Sequence, residues 1–517
     1  MLLSISSNSS AQNWLVGAGG PTNDEALDIA INKTTGDYFV TGYFTGNATF
    51  GTTVLNSSGN SDIFIAKYTA NGTVVWAKKA GGTMADRANS IKCDNAGNIF
   101  ITGYYYGSAT FDNTNITSVN HSQDIFIAKY SPIGNLLWVK SMGGTDAETG
   151  YSVTTDNAGN AIVTGQFRGT ATFGITTLSS AINPILNLPS FDIFIAKFDA
   201  NGGFLWAKKG SAKYDDRGLD VATDAANNIF LVGQFSDTIT FDITHNNSIF
   251  NAGFLLKLDA NGNEQWLVRM AAQQTIVYSL AVDHNNNILI TGDYKGSLAI
   301  LTTPTVISNS SFTNKVFVAK FSNAGQVMWV ENDGSDSEVT SKSIALDTAG
   351  NAYIVGLFKC RFDEFSQTYG SGVFYSSGYR DVFVSKYSAS GTRQWFKQFG
   401  SNKDDYCSGI IINNNNNAII AGSFENIFNV PRSPSFTQLA SNFNYNLGYA
   451  SASINCGIPN YQNFVGQASR GQKDIFVTSP IDNNQAPFDY FMRTSGGCNQ
   501  SFVPPCINDC DSAITEC

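Results

Sequence analysis

Short runs of alternating apolar and polar residues recur along this chain, and one recurs almost unchanged. It reads Asp124-Ile-Phe-Ile-Ala-Lys-Tyr130 and returns at 62–68, 192–198, 253–258, 315–321 and 381–387. Period-two alternation predicts a strand, with Ile63, Ile65 and Lys67 on one face and Phe64 and Ala66 on the other. In all six copies the lysine (67, 129, 197, 257, 320, 386) stands nine residues before a tryptophan. The period, roughly 60–65 residues, is too long for most helical repeats but suits a four-stranded propeller blade with one long loop.

Each repeat divides into four predicted strands, a to d. Strand a lies at 26–32, 88–94, 150–156, 218–224, 277–283, 341–347 and 407–413. It runs into turns such as Asp94-Asn-Ala-Gly-Asn98, where Asp, Gly and Asn supply capped or positive-φ positions. Strand b carries a glycine and, two residues on, an aromatic: Gly42/Phe44, Gly103/Tyr105, Gly165/Phe167, Gly233/Phe235, Gly292/Tyr294, Gly356/Phe358 and Gly422/Phe424. The glycine is expected to admit a neighbouring sheet and the aromatic to fill the space between sheets. Strand c is the Asp-Ile-Phe unit, and strand d holds the tryptophan.

These seven pairs predict seven repeats. The seventh strand c is degenerate, placed at 449–454, and no tryptophan follows it. Trp14 in Asn13-Trp-Leu-Val-Gly-Ala-Gly-Gly20 matches the surroundings of Trp76, so the N-terminal strand is expected to close the ring as strand d of the last blade. Seven tryptophans (Trp14, Trp76, Trp138, Trp206, Trp266, Trp329, Trp395) then serve seven blades. The expected fold is an all-β, seven-bladed β-propeller over 13–455, with 1–12 as the remnant of a signal peptide and 456–517 as a Cys-rich tail or the start of a following domain.

Length variation says which face works. Tryptophan to the next strand-b glycine is 26 to 28 residues throughout, whereas strand-b aromatic to strand-c phenylalanine grows from 20 (Phe44 to Phe64) to 27 (Phe167 to Phe194). The b–c and d–a connections leave one face of an up-and-down blade, so that face has long variable loops, where binding usually sits. Tyr104, Tyr106, Arg168 and Tyr369 are the candidate ligand contacts there, and packing between blades is the alternative role for the tyrosines. An acidic column, Asp24, Asp86, Glu148, Asp216 and Asp405, enters strand a on the same face. It could form a mouth that holds Ca²⁺ or steers a cationic or hydroxyl-rich ligand. The expected role is instead structural, accepting hydrogen bonds from backbone N–H groups or from Arg87 and Arg217, because Ca²⁺ needs six or more converging oxygens.

Composition narrows the partners. The net charge of −10 argues against nucleic acid, whose phosphates need a basic face. No apolar run is long enough to span a membrane. The turn-rich, weakly charged composition and the short apolar start point to export. Five of eight cysteines (Cys456, Cys498, Cys506, Cys510, Cys517) fall in the tail without histidine, which predicts disulfides rather than zinc. Cys360 and Cys407 are placed to pair, and Cys93 is expected to be free. The three histidines, His121, His245 and His284, lie in different repeats and give hydrolytic or metal chemistry little to draw on.

The ordered set Asp-x-x-Gly-Asn, Thr-Gly-x-Phe, Asp-Ile-Phe-Ile-Ala-Lys-Tyr and Gly-x-x-x-Trp resembles the bacterial β-propeller repeat called SBBP, abundant in cell-surface proteins of Bacteroidetes. The resemblance covers 13–455 and implies the propeller fold and, loosely, a non-enzymatic module of a large exported adhesin of gliding bacteria. Such proteins leave through the type IX secretion machinery and are held at the outer membrane. The expected ligand is a polysaccharide, a surface or a protein. A secreted hydrolase or lyase acting on polysaccharide, and a structural cap on a filament tip, are the alternatives.

Overall fold

The structure is a computed structural model that describes residues 15–246, 251–301, 305–307, 313–334, 338–366, 370–401, 403–424, 427–431, 464–468 and 474–478. Its secondary structure is antiparallel strands with one 3₁₀ turn at Val119–His121 among the described residues. The first repeat shows the plan: Asp24–Ile31, Tyr38–Phe44, Asp62–Tyr68 and Val74–Gly82 pair in chain order as strands a to d. Six more sheets share this four-strand plan, with strand a at Arg87–Cys93, Thr149–Thr155, Arg217–Thr223, Gln274–Val282, Val339–Leu346 and Asp405–Ile412. Each strand a packs against the next, and Asp405–Ile412 packs back against Asp24–Ile31.

The seventh sheet has the order Leu15–Ala18, Asp474–Thr478, Ala418–Phe424, Asp405–Ile412. Its strand c is therefore Asp474-Ile-Phe-Val-Thr478, twenty residues beyond the stretch expected to supply it. The expected 449–454, like Trp14 and the tail cysteines, lies outside the described residues. Asp474-Ile-Phe repeats the strand-c signature of Asp62-Ile-Phe, so the signal was present in the sequence. A long insertion after strand b displaced it.

Both faces of strand c are buried: Ile63, Phe64, Ile65 and Ala66 are all inaccessible to solvent. The reason is that the core lies between sheets rather than inside one. Phe39, Ile63 and Ile65 of the first repeat pack on Ala88, Ile91 and Ile101 of the second, and six equivalent clusters follow. One of them joins Ile419 and Ala421 of the seventh repeat to Val40 and Phe64 of the first. The strand-b aromatics are buried in these clusters, each contributing about 1.5–3 kcal/mol.

The strand-b glycine answers to a different neighbour from the one expected. Every strand a carries a β-bulge opposite it, as between Ala26 and Asp28 or Gly150 and Ser152. The bulge drives a strand-a carbonyl against the glycine, so a Cβ on Gly42 would lie 1.9 Å from Glu25 O and one on Gly165 1.9 Å from Thr149 O. The close approach is within the glycine's own sheet.

The constant lysine–tryptophan spacing also has a structural cause. The two residues are register partners across the c–d hairpin, Lys129 with Trp138 and Lys197 with Trp206. They grip the c–d turn of the next repeat. Lys129 Nζ and Trp138 Nε1 both donate to Ala200 O, at 3.0 and 3.2 Å. Trp266 and Trp329 donate likewise to Asn323 O and Ala389 O. The lysine also pairs with the a–b turn aspartate of its own repeat: Lys197 with Asp156 at 2.9 Å and Lys320 with Asp283 at 3.0 Å. The motif is a clamp between successive sheets.

Candidate interaction site

The face opposite the clamps carries the b–c and d–a connections. Most b–c connections are hairpins that lace onto strand d of the preceding repeat. Ser108–Phe111 pairs with Val74–Gly82, and Thr170–Phe173 pairs with Leu136–Gly144. A bridge between Gly19 and Thr49 does the same between the first hairpin and the N-terminal strand. These loops are therefore largely structural.

The third repeat departs from this pattern. After its lacing hairpin, a second and smaller one, Ile182–Asn183 with Leu188–Pro189, projects as a finger and accounts for the 27-residue spacing. Its tip is apolar and open to solvent: Ile182, Ile185, Leu186 and Leu188 are 54, 76, 65 and 50% exposed. Arg168 stands at its base, with Nε donating to Pro189 O at 3.0 Å and the guanidinium over the Phe191 ring.

The acidic column is dispersed rather than gathered, one carboxylate per repeat and each without solvent exposure. Asp24 accepts from Gly20 N at 2.7 Å and Thr45 N at 3.1 Å; Asp86 accepts from Gly82 N and Tyr106 N; Asp216 accepts from Ala212 N and Ser236 N. Glu148 and Asp405 hold Gly144 N and Ser401 N. Each carboxylate thus ties the d–a turn, and in three repeats the end of strand b as well. Burial pushes Asp86 up to about 7, and Glu148 and Asp405 up to about 8, with Asp62, Asp124 and Asp381 nearby adding to the rise. Among the described residues no group of three or more His, Cys, Asp or Glu converges as a metal site would require. His245 pairs with Glu264, remote in sequence from His121 and His284.

Tyr104 and Tyr106 meet edge to face at 5.9 Å, and Tyr106 Oη donates to Gln123 Oε1 at 2.6 Å. Both are half-buried at the rim. Tyr369 lies outside the described residues. The sequence expected Arg87 and Arg217 to bond the acidic column, but the column takes backbone N–H groups and neither arginine reaches it among the described residues; Tyr151, Tyr278 and Lys342 in the bulges were missed. Arg87 lies over the Tyr43 ring at 5.0 Å and Lys342 over the Tyr278 ring at 5.2 Å. Arg217, in the same repeat position as Arg87, is exposed, and its guanidinium makes no hydrogen bond or ion pair among the described residues. Tyr151 occupies the bulge between Gly150 and Ser152, where burial raises its phenol pKa against the charges of Arg217 and Arg87. The sequence signal was the residue just before each strand-a serine, which is Tyr151, Tyr278 and Lys342 in three repeats.

Deeper along strand a the lining turns acidic and hydroxylic. Asp28 accepts from Ser90 Oγ and Ile91 N; Asp220 accepts from Ser152 Oγ at 2.7 Å and Ser279 Oγ at 2.9 Å. Each aspartate bridges successive sheets. Burial pushes Asp28 up to about 6. Cys407 is free and buried, its thiol donating to Gly356 O, so the expected pairing with Cys360 does not form; Cys93 is free, as expected.

Among known proteins, the chain is 27% identical over 260 residues to an uncharacterized WD repeat-containing protein of Acanthamoeba polyphaga mimivirus. That match covers 44% of this chain and 18% of the relative, so the chain spans less than a fifth of the viral protein's length. No family model matches the chain. Among solved structures it is similar to the Dos1 propeller, with a TM-score of 0.36 and 9% identity over 78% of this chain and 90% of that one. The repeated four-stranded antiparallel sheets, each with its strand a packed on the next, give this chain the architecture of a propeller-type repeat protein.

Proposed function

We propose that the chain is a seven-bladed β-propeller, closed by its N-terminal strand, that serves as a non-enzymatic protein-interaction module through its b–c/d–a face. The seven inter-sheet clusters and the pairing of Leu15–Ala18 with Asp474–Thr478 support the closed ring. On this reading the propeller runs to 478 rather than 455, and the Cys-rich tail follows it. The observation that carries the interaction role is the finger of the third repeat. An apolar tip held in water by a rigid scaffold is costly unless it meets a partner.

The wider setting belongs to the same proposal: the N-terminal propeller of an exported, cell-surface adhesin of SBBP type. It rests on the motif resemblance, the acidic turn-rich composition and the tail cysteines. Among the described residues no helix is long and apolar enough to cross a membrane.

The test pairs two measurements on producing cells. Protease applied to intact cells should remove the chain, and Ile185→Ser with Leu186→Ser should abolish retention of its partner protein while the melting temperature stays unchanged. Full partner retention by the folded double variant would overturn the interaction reading.

A further inference from the structure

The rim cations pack on aromatic rings or stand exposed, and none of them meets a carboxylate among the described residues. The clamp lysines, by contrast, are consumed by the fold, as Lys129 and Lys197 are by turn aspartates and next-repeat carbonyls. Arg87, Arg217 and Lys342 ion-pair with no carboxylate among the described residues, and Arg87 Nε is buried without a hydrogen-bond partner. They stand on strands a of the second, fourth and sixth repeats, and the bulge tyrosines Tyr151 and Tyr278 stand on the third and fifth. Because consecutive strands a are packed neighbours, these five residues form an arc of alternating cation and phenol at the entrance to the axial space.

Three unpaired cations on a chain of net charge −10 need a reason. Arginine and tyrosine together offer forked N–H donors, hydroxyls and flat apolar faces, the combination that binds carboxylates at protein interfaces. We propose that this arc is a recognition site for a short acidic peptide segment, whose carboxylates are taken by Arg87, Arg217 and Lys342 and whose backbone lies against Tyr151 and Tyr278. The site deepens the interaction reading above and rests on it: the finger would hold an apolar part of a partner and the arc its acidic part.

Two features favour a short segment over an extended polyanion such as an acidic polysaccharide. Asp146, Asp215, Glu338 and Asp404 lie on the d–a connections around the arc and would repel a polyanion running across the face. Below the arc, Asp28 and Asp220 line the axial space and stop an anionic chain from threading inward.

The experiment is fluorescence anisotropy on the full chain with labelled decapeptides: one rich in Asp and Glu, its Asn/Gln counterpart, and the acidic peptide with an amidated C-terminus. Oligogalacturonate serves as competitor. The acidic decapeptide should bind in a salt-sensitive way, and its Asn/Gln counterpart should bind at least tenfold more weakly. Arg217→Ala, an exposed change that leaves folding intact, should weaken binding about tenfold, as one lost charge-assisted contact does. Lys78→Ala, at an exposed pair with Asp112 on strand d, should leave it unchanged. Loss of affinity on amidation would locate the recognised carboxylate at the chain end, and unchanged affinity would locate it on side chains. Equal binding of both decapeptides, no binding of the acidic one, or its displacement by oligogalacturonate at lower concentration than by the unlabelled acidic peptide, would overturn the proposal. The finger variants report separately, so the arc can fail while the interaction reading stands.

Discussion

Replacing Lys197 by methionine tests whether the conserved-spacing lysine is a clamp between sheets. Its ammonium lies 2.9 Å from Asp156 Oδ2 and donates to Ala260 O at 3.1 Å in the next repeat, with both charged side chains nearly inaccessible. Burial would raise the Asp156 carboxyl, but the bonds from Lys197 and Asn160 outweigh it and hold the carboxyl below its ordinary value. Methionine keeps the stem and its packing and removes only the charge. Asp156 would retain Ala158 N, Asn160 N and Asn160 Nδ2 as donors, while Ala260 O would lose its ammonium donor. Breaking one side of a buried pair costs about 3–5 kcal/mol, and the surviving donors put this case at the lower end, about 3 kcal/mol. Asp156→Asn supplies the second arm of a double-mutant cycle, because Asn32 and Asn413 already hold this turn position in two repeats. Urea unfolding followed by circular dichroism should show Lys197→Met near that cost, and the double variant should recover about 1.5 kcal/mol or more relative to additivity. The exposed pair Lys78–Asp112, at 3.1 Å, should cost at most about 1 kcal/mol when broken. A Lys197→Met variant within about 0.5 kcal/mol of the parent, or strict additivity, would refute the clamp.

Two further outcomes follow from the junctions between repeats. Asp86, Glu148 and Asp405 titrate in the folded chain at about 7, 8 and 8, above the unfolded carboxylate range, so the folded state holds the extra protons. Their contribution is complete below about pH 4 and is lost as pH rises through 7 to 8. The lowered turn aspartates Asp156, Asp224 and Asp283 act oppositely, adding stability above about pH 4 that is lost on acidification. The melting temperature should therefore peak near pH 5 and fall toward pH 9, and a profile that rises over that range would contradict the burial of the column. Gly165→Ala, whose new Cβ would meet Thr149 O at 1.9 Å, should cost at least about 3 kcal/mol in the same urea assay. A near-neutral result would mean that the bulge opposite the glycine is not tight.

The sequence by itself determined the repeat and its four-strand plan. Motifs such as Asp-Ile-Phe-Ile-Ala-Lys-Tyr and the glycine–aromatic pair are local, and local spacing encodes strand, turn and register. It also suggested that the acidic column bonds to backbone N–H groups, because a residue repeated in every unit answers to a need that every unit has. Tertiary structure decided what lies between units. That the strand-b glycine yields to a bulge in its own sheet, and that lysine and tryptophan reach a carbonyl sixty or more residues away, depends on how sheets stack rather than on any one stretch. The last strand c was spelled out in Asp474-Ile-Phe, but only its pairing with Ala418–Phe424 and Leu15–Ala18 distinguishes it from chance. The finger and the cationic arc were the least legible. They are departures from the repeat, and side chains at unremarkable sequence positions come near one another only because successive strands a pack side by side.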